Sequence, residues 1–529
     1  MLVGYVSDER YVALPDVLLE FERDGQSVEA RSRATGAVYA DVTPGVYRVT
    51  LAKEGYGSKT VEVNVAEDQP HQFRLLADGL LGYMWPKWLR AGERAEFRVH
   101  AVEAYKLELW RYGWQKEFIR PIGWYDEHGP RATMQVSPDG DYTQVGVQWN
   151  KQGYSHPHHK QYIEAPARSG LYYLHARTET GRFFSFPWIV APAQPQAPLA
   201  VLASNITWNA YNNFGGRSNY IHPDRLPPKP TVNARFDLKR YTDPEHRSYD
   251  SDTYAPLSFD RPEPINVVPE GDTVTSPIEG RAASHIAPAE WRLLGWLERE
   301  GFAYDYYAET QFHSGVLNLD DYSVLIISTH PEYWSRDMYY RLKAWVFERG
   351  GKLLYLGGNG LNCEVEFPDE YTMIVQNGNE GNSWKMLDQG IESRFHLRNE
   401  SEANLLGVVY DDRGIMTAAP YRAVDADHWV FEGTGMRNGD TFGERSLHMR
   451  IPGGASGHET DKMSRNSPAN VHLLAKGLNA EDGGGEIVHF DTASGGAVFS
   501  VGSICYVSSI LVDEVVSRIT ANVLRRFLG

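Results

Sequence analysis

Apolar and polar residues alternate with period two along the first part of the chain, and the rhythm then changes to short apolar runs followed by helical spacings. In DVLLEFERD, SVEARSR, GVYRVTLAKEGY, KTVEVNVAE and HQFRLL, apolar residues fall at alternate positions and turn residues recur at intervals of roughly eight to twelve. That pattern predicts a β-sandwich over residues 1–78. AEFRVHAV, KLELWRYG, TQVGVQWN, GLYYLHARTE and RFFSFPWIVAP continue the alternation and predict a second sandwich over 79–193. The Pro/Ala stretch APAQPQAPLA marks the main boundary. Beyond it, PLAVLAS, VLIIS (Val324–Ser328) and KLLYLG read as buried parallel strands. AEWRLLGWLEREG reads as a helix ending at Gly301. RDMYYRLKAWVFERGG reads as another, N-capped by Ser335, with Tyr339, Leu342, Trp345 and Val346 on one face and Gly350 just past its end. GGAVFSVGS is a late strand, and a terminal helix turns Ile510, Leu511, Val515, Ile519, Val523 and Phe527 inward. The fold class expected is therefore multidomain β plus α/β. Two sandwiches precede an α/β domain over 194–529 with a mostly parallel sheet, interrupted by proline-rich and mixed insertions at 221–288 and 364–490.

Composition narrows the function. With 42% apolar and 23% charged residues the chain is globular, and a net charge of −17 argues against a nucleic-acid partner. No apolar run is long enough to span a bilayer, and MLVGYVSDERYV lacks a basic, apolar leader, so a cytoplasmic protein is expected. Cys363 and Cys505 have no metal-type spacing and read as small core residues.

The candidate chemistry gathers at strand ends. NITWNAYNNFGG, THPEYWS and GGNG each follow a predicted parallel strand, and ligands of open α/β sheets bind at that lip. Glu332 is then either a site carboxylate or simply a helix-entry residue favoured by the dipole. In class I glutamine-amidotransferase-like folds the turn after the KLLYLG-type strand holds a Cys or Ser nucleophile. Here it reads Gly357, Gly358, Asn359, Gly360, and no G-x-S-x-G or phosphate-cradling motif appears. Cys363 has no evident His-plus-acid set beside it. SHPHHK offers His156, His158 and His159. Adjacent histidines on a strand face opposite ways, so the stretch reads as a solvated loop. What remains is Tyr, Glu, His and Asn. Phenolate and carboxylate oxygens are hard donors suited to a trivalent ion.

Two resemblances follow. TPGVYRVTLAKEGYGSKTVEV resembles transthyretin-like or carboxypeptidase-regulatory-like β-sandwiches. SNITWNAYNNFGGRSNY, SFDRP, STHPEYWS, LGGNG and SGHETD together resemble the large subunit of N,N-dimethylformamidase and its relatives, over about residues 79–529. This second resemblance implies one mononuclear non-haem Fe(III) site per chain, held by two tyrosines and one glutamate. It also implies hydrolysis of a small N-substituted amide, N,N-dimethylformamide in the family, to carboxylate and amine. Carried over, Tyr211 is the first phenolate, Glu332 the carboxylate and Tyr254 the second phenolate, with Tyr249 the alternative. His330 and Asn359 would orient substrate, and Glu459 would relay a proton. No nucleotide or other organic cofactor is implied. Partners expected are a small amide substrate, a small subunit as in the family and further copies of the chain, with neither nucleic acid nor membrane. The first sandwich has no counterpart in the resemblance and leaves the substrate and the small subunit open. The rival reading is a non-catalytic binding protein on an amidotransferase-like scaffold without its nucleophile.

Overall fold

The computed structural model of the chain describes residues 1–77, 79–125, 135, 137–149, 161–220, 225–232, 254–269, 278, 280–377 and 391–529. The period-two segments at the start form two facing sheets. One contains Leu2–Ser7, Ala37–Tyr39 and His71–Arg74, and the other Leu18–Arg23, Gln26–Arg31, Gly45–Ala52 and Lys59–Val65. Along Gly45–Ala52 the alternation becomes burial: Tyr47, Val49 and Leu51 face inward beside Val6, Phe21 and Phe73. A second pair of sheets follows, with Leu80–Trp85, Arg94–Ala101 and Tyr162–Glu164 packed on a five-stranded sheet that includes Tyr105–Tyr112, Gly170–Thr178 and Phe183–Ala191. TQVGVQWN, expected as a strand, is instead a short helical turn at Tyr142–Val145. The Asp141 side chain accepts from the Thr143 N–H, and Gly146, at φ 82°, ends the turn. His156, His158 and His159 lie outside the described residues.

The largest sheet carries the site. Its strands are β1 (Leu199–Ala203), β2 (Asp305–Ala308), β3 (Val324–Thr329), β4 (Lys352–Gly357), β5 (Tyr421–Ala423), β6 (Thr441–Phe442), β7 (His472–Gly477), β8 (Glu486–Asp491) and β9 (Ala497–Ser500). Their order is β2-β1-β3-β4-β9-β8-β7-β5-β6. The pairings from β2 to β9 are parallel and those from β9 to β6 antiparallel. The sheet is thus mixed, which corrects the mostly parallel expectation. The stretch 364–490, read as an insertion, supplies the antiparallel half. Helices α1 (Asn205–Tyr211), α2 (Ala287–Arg299), α3 (Arg336–Arg349) and α4 (Glu514–Leu528) accompany it. α3 begins where Ser335 Oγ accepts from the Met338 N–H and ends at Gly350 in the left-handed region, φ 77°. The linker does not separate two cores: Trp88, Tyr112 and Ile189 of the second sandwich belong to the same apolar cluster as Leu202 and Ile326.

Candidate active site

Tyr211, Tyr220, His330, Glu332 and Asn359 each follow the end of a buried parallel strand. After β1 the chain makes the short helix α1, whose last residue is Tyr211. Gly215 and Gly216, at φ 100° and 90°, then reverse it, and the Asn219 N–H returns to the Ala210 carbonyl at 2.9 Å. That reversal lays the Tyr220 ring 4.8 Å from the Tyr211 ring. After β3, Thr329 takes φ 64°, a costly conformation for a β-branched residue, and His330, Pro331 and Glu332 follow. The Glu332 N–H donates to Thr207 Oγ1 of α1 at 3.1 Å, tying the first two strand ends together. After β4, Asn359 takes φ 49°. A strained residue after a strand is the geometry of a nucleophile elbow, but the side chain here is an amide and cannot attack. Gly358 is required by close approach, since a Cβ there would lie 2.4 Å from the Glu459 carbonyl oxygen.

Three oxygens meet at the centre. The Tyr211 hydroxyl lies 3.0 Å from Glu332 Oε2, the Tyr220 hydroxyl 3.1 Å from that of Tyr211, and the Tyr220 hydroxyl 3.2 Å from Glu332 Oε2. Such a triangle has the edge lengths of one face of an octahedron with centre-to-oxygen distances of about 2.2 Å, within the range for metal–carboxylate bonds. Among the described residues no group of three or more His, Cys, Asp or Glu could hold a metal ion, so an ion here would draw on the tyrosine oxygens. Tyr333 supports Tyr220 at 2.7 Å and accepts from Asn219 Nδ2 at 2.7 Å. Burial, then Glu332 and Tyr220, pushes the Tyr211 phenol well above its ordinary value. Burial likewise raises Glu332 against the pull of His330. Both shifts run toward the protonated form.

A second carboxylate balances the other side. His330 Nε2 stands 3.1 Å from Glu459 and 3.3 Å from Glu332, close enough for ionic contact but off the line of a hydrogen bond. Burial opposes charge on Glu459, yet His330, His458 and the amide of Asn359 hold its carboxyl down at about 2. Burial also opposes charge on His330, and Glu459, Glu332 and Asp461 overcome it and raise the imidazole. Asn359 Nδ2 donates to Glu459 at 2.8 Å, while its Oδ1 and His330 Nδ1 are buried with no partner among the described residues. Orphaned polar atoms inside a strained turn are what a ligand or water would satisfy. Asp461 pins the turn: it accepts from the Asn359 N–H at 2.8 Å and from Tyr355 at 2.7 Å.

The N,N-dimethylformamidase beta subunit-like, C-terminal family matches residues 106–517. The chain belongs to that family. Two of its curated relatives are N,N-dimethylformamidase beta subunits, from Paracoccus aminophilus and from an Alcaligenes species. Each is 27% identical over 289 residues, a match that covers 46% of this chain and 37% of the relative. The chain therefore spans well under half the length of the relatives it matches. Among solved structures, a DUF3823 family protein from Bacteroides ovatus is 10% identical, covering 35% of this chain and 98% of its own, at a TM-score of 0.13 that bears on nothing further.

Of the residues the family motifs carry, Tyr211, Glu332, His330, Asn359 and Glu459 stand together. Tyr254 is buried with its hydroxyl 2.5 Å from Asn377 Nδ2, and Asn377 Oδ1 accepts from Arg394 at 2.6 Å. Tyr249 lies outside the described residues. Cys363 is buried, and burial pushes its thiol up to about 12, away from the thiolate that a nucleophile needs. Tyr220, His285 and His458 are the site neighbours that sequence reasoning passed over. Tyr220 and His458 sat inside stretches already singled out, Tyr220 just past the Gly-Gly reversal and His458 beside Glu459. His285, whose ring is 4.9 Å from that of Tyr211, had no such marker.

Proposed function

We propose that this chain hydrolyses a small, uncharged N-substituted amide of the N,N-dimethylformamide kind to carboxylate and amine, at one mononuclear Fe(III) site. The observation that carries the reading is the triangle of oxygens of Tyr211, Tyr220 and Glu332, each pair within 3.0–3.2 Å. Tyr211 and Glu332 would hold the ion with a second tyrosine, Tyr220 on geometry or Tyr254 on the family resemblance. Three anionic oxygens match a trivalent charge and leave no net charge buried. The chemistry that such an ion supplies when bound is Lewis acidity toward a carbonyl and toward water.

The protein's own groups have separate tasks. His330, whose imidazole Glu459 pushes up against the effect of burial, would hold a proton at Nε2 for the departing nitrogen, which must be protonated as its bond to carbon breaks. Asn359 was expected to orient substrate or steady an oxyanion. One N–H of its amide is committed to Glu459, which leaves the second N–H for an oxyanion and the acceptor Oδ1 for a water or an N–H. The class I glutamine-amidotransferase-like scaffold belongs to this reading, supported by the parallel half of the sheet and the strained turn after β4. So does assembly with a second kind of subunit, since the relatives are named as beta subunits. The test is iron content, visible phenolate-to-iron absorption and a panel of small amides beginning with N,N-dimethylformamide. Coloured, iron-loaded protein that releases amine from a member of the panel is expected. Colourless protein that binds no iron and cleaves no amide would replace the reading with a binding module.

A further inference from the structure

Two buried histidines close to His330 form a pair whose tautomers the backbone fixes. His448 and His458 are both buried, with His448 Nε2 3.0 Å from His458 Nδ1. The backbone N–H groups of Arg450 and Ile451 lie 3.2 and 3.0 Å from His448 Nδ1. A backbone N–H can only donate, so His448 Nδ1 carries no proton. Burial holds both rings neutral, His448 at about 3 and His458 at about 4. The single proton of His448 is then on Nε2 and is given to His458 Nδ1, which leaves the proton of His458 on Nε2. That Nε2 finds no acceptor among the described residues and points away from His448, on a ring 4.7 Å from His285 and 6.4 Å from His330. His458 also holds φ 67°, fixed by hydrogen bonds from the Met416 N–H at 2.8 Å and to the Thr417 carbonyl at 3.0 Å.

We propose that His448 is a positioning residue that locks His458 as its Nε2–H tautomer, and that this N–H donates to the amide oxygen of the substrate as that oxygen becomes an oxyanion. The donor role rests on the hydrolase reading; the lock does not. The pair is not a proton wire, because His448 Nδ1 is capped by backbone donors and can pass nothing onward. In the addition step, hydroxide oxygen bonds to the carbonyl carbon and the π pair moves onto oxygen. His458 keeps its proton throughout. In the collapse, the pair returns to re-form the carbonyl, the C–N bond breaks, and nitrogen takes its proton from the His330 side.

Two measurements test this on the full chain. In histidine-¹⁵N-labelled protein treated with chelator, the ring shifts of His458, assigned with His458→Asn, should report the Nε2–H tautomer. In His448→Phe they should report mixed tautomers. In turnover of N,N-dimethylformamide, His458→Phe should lower kcat on the order of 10²-fold, as for a lost oxyanion donor. His448→Phe should lower kcat with KM unchanged, and the double variant should lose no more than His458→Phe alone. His448→Gln, whose side-chain amide can still donate to His458 Nδ1, should recover kcat. An Nδ1–H tautomer in the native protein, or a folded His448→Phe with native kcat, overturns the proposal. If the native protein cleaves no amide, the hydrolase reading fails, and the tautomer spectra alone decide the lock.

Discussion

Two tyrosines compete for one place beside Tyr211 and Glu332. Tyr220 completes the oxygen triangle, whereas the Tyr254 hydroxyl meets Asn377 on the side where Arg394 is buried. Removing a hydroxyl that holds the ion should cost metal and colour; removing one that only neighbours it should not. Tyr220→Phe and Glu332→Gln are therefore expected to lose most bound iron and Tyr254→Phe to retain it, checked by iron per chain and visible absorption. Iron lost from Tyr254→Phe and kept by Tyr220→Phe would instead assign the ligand named by the resemblance. The residues legible beforehand, Tyr211, His330, Glu332 and Asn359, each come shortly after a strand readable from its apolar run. Tyr220 was not legible because a two-glycine reversal places it, and such a turn carries no periodicity.

Among the elements, α3 was readable to the residue because several independent signals agreed: an apolar stripe, a serine at its start and a glycine past its end. Ser335 carries more than the cap, as its Oγ also lies 2.9 Å from His313 Nδ1. Ser335→Ala should destabilise the protein by about 1 kcal/mol, the usual cost of a lost N-cap, measured as a shift in urea midpoint at unchanged slope. No shift would show that the cap is redundant in this packing. The antiparallel half of the large sheet was illegible for the opposite reason. β5 and β6 are three and two residues long, too short for alternation to register, and are held in place by long-range pairing. At Tyr142–Val145 a local side-chain cap outweighed an alternating pattern, which is how Asp and Gly commonly override strand propensity.

At the scale of the whole molecule, the sequence rhythm separated sandwiches from sheet but not the shared core, because Trp88 and Ile189 bury against Leu202 only once the parts are docked. The assembled interior also encloses acids. Glu402 is fully buried, accepts from Ser393 Oγ at 2.6 Å, and is pushed up by burial from its ordinary 4.5 to about 8. Between those two values the folded chain keeps a proton that the unfolded chain releases. Its contribution to stability is therefore full below pH 4.5 and lost as pH rises toward 8, by about 1.4 kcal/mol per pH unit. Glu290, raised to about 7, acts in the same direction. Glu402→Gln mimics the protonated acid and should flatten the fall in urea-unfolding free energy between mildly acidic and mildly alkaline buffer. An unaltered slope would place the titration elsewhere.

The contact between Glu332 and Thr207, like that between Asn359 and Asp461, spans more than a hundred residues of chain. The oxygens of Tyr211, Tyr220 and Glu332 have no reason to be neighbours in an unfolded polypeptide. A cation held by that triangle is thus a ligand of the folded state alone, and mass action converts its affinity into resistance to unfolding. Occupancy of the site and persistence of the fold then become two readings of one equilibrium.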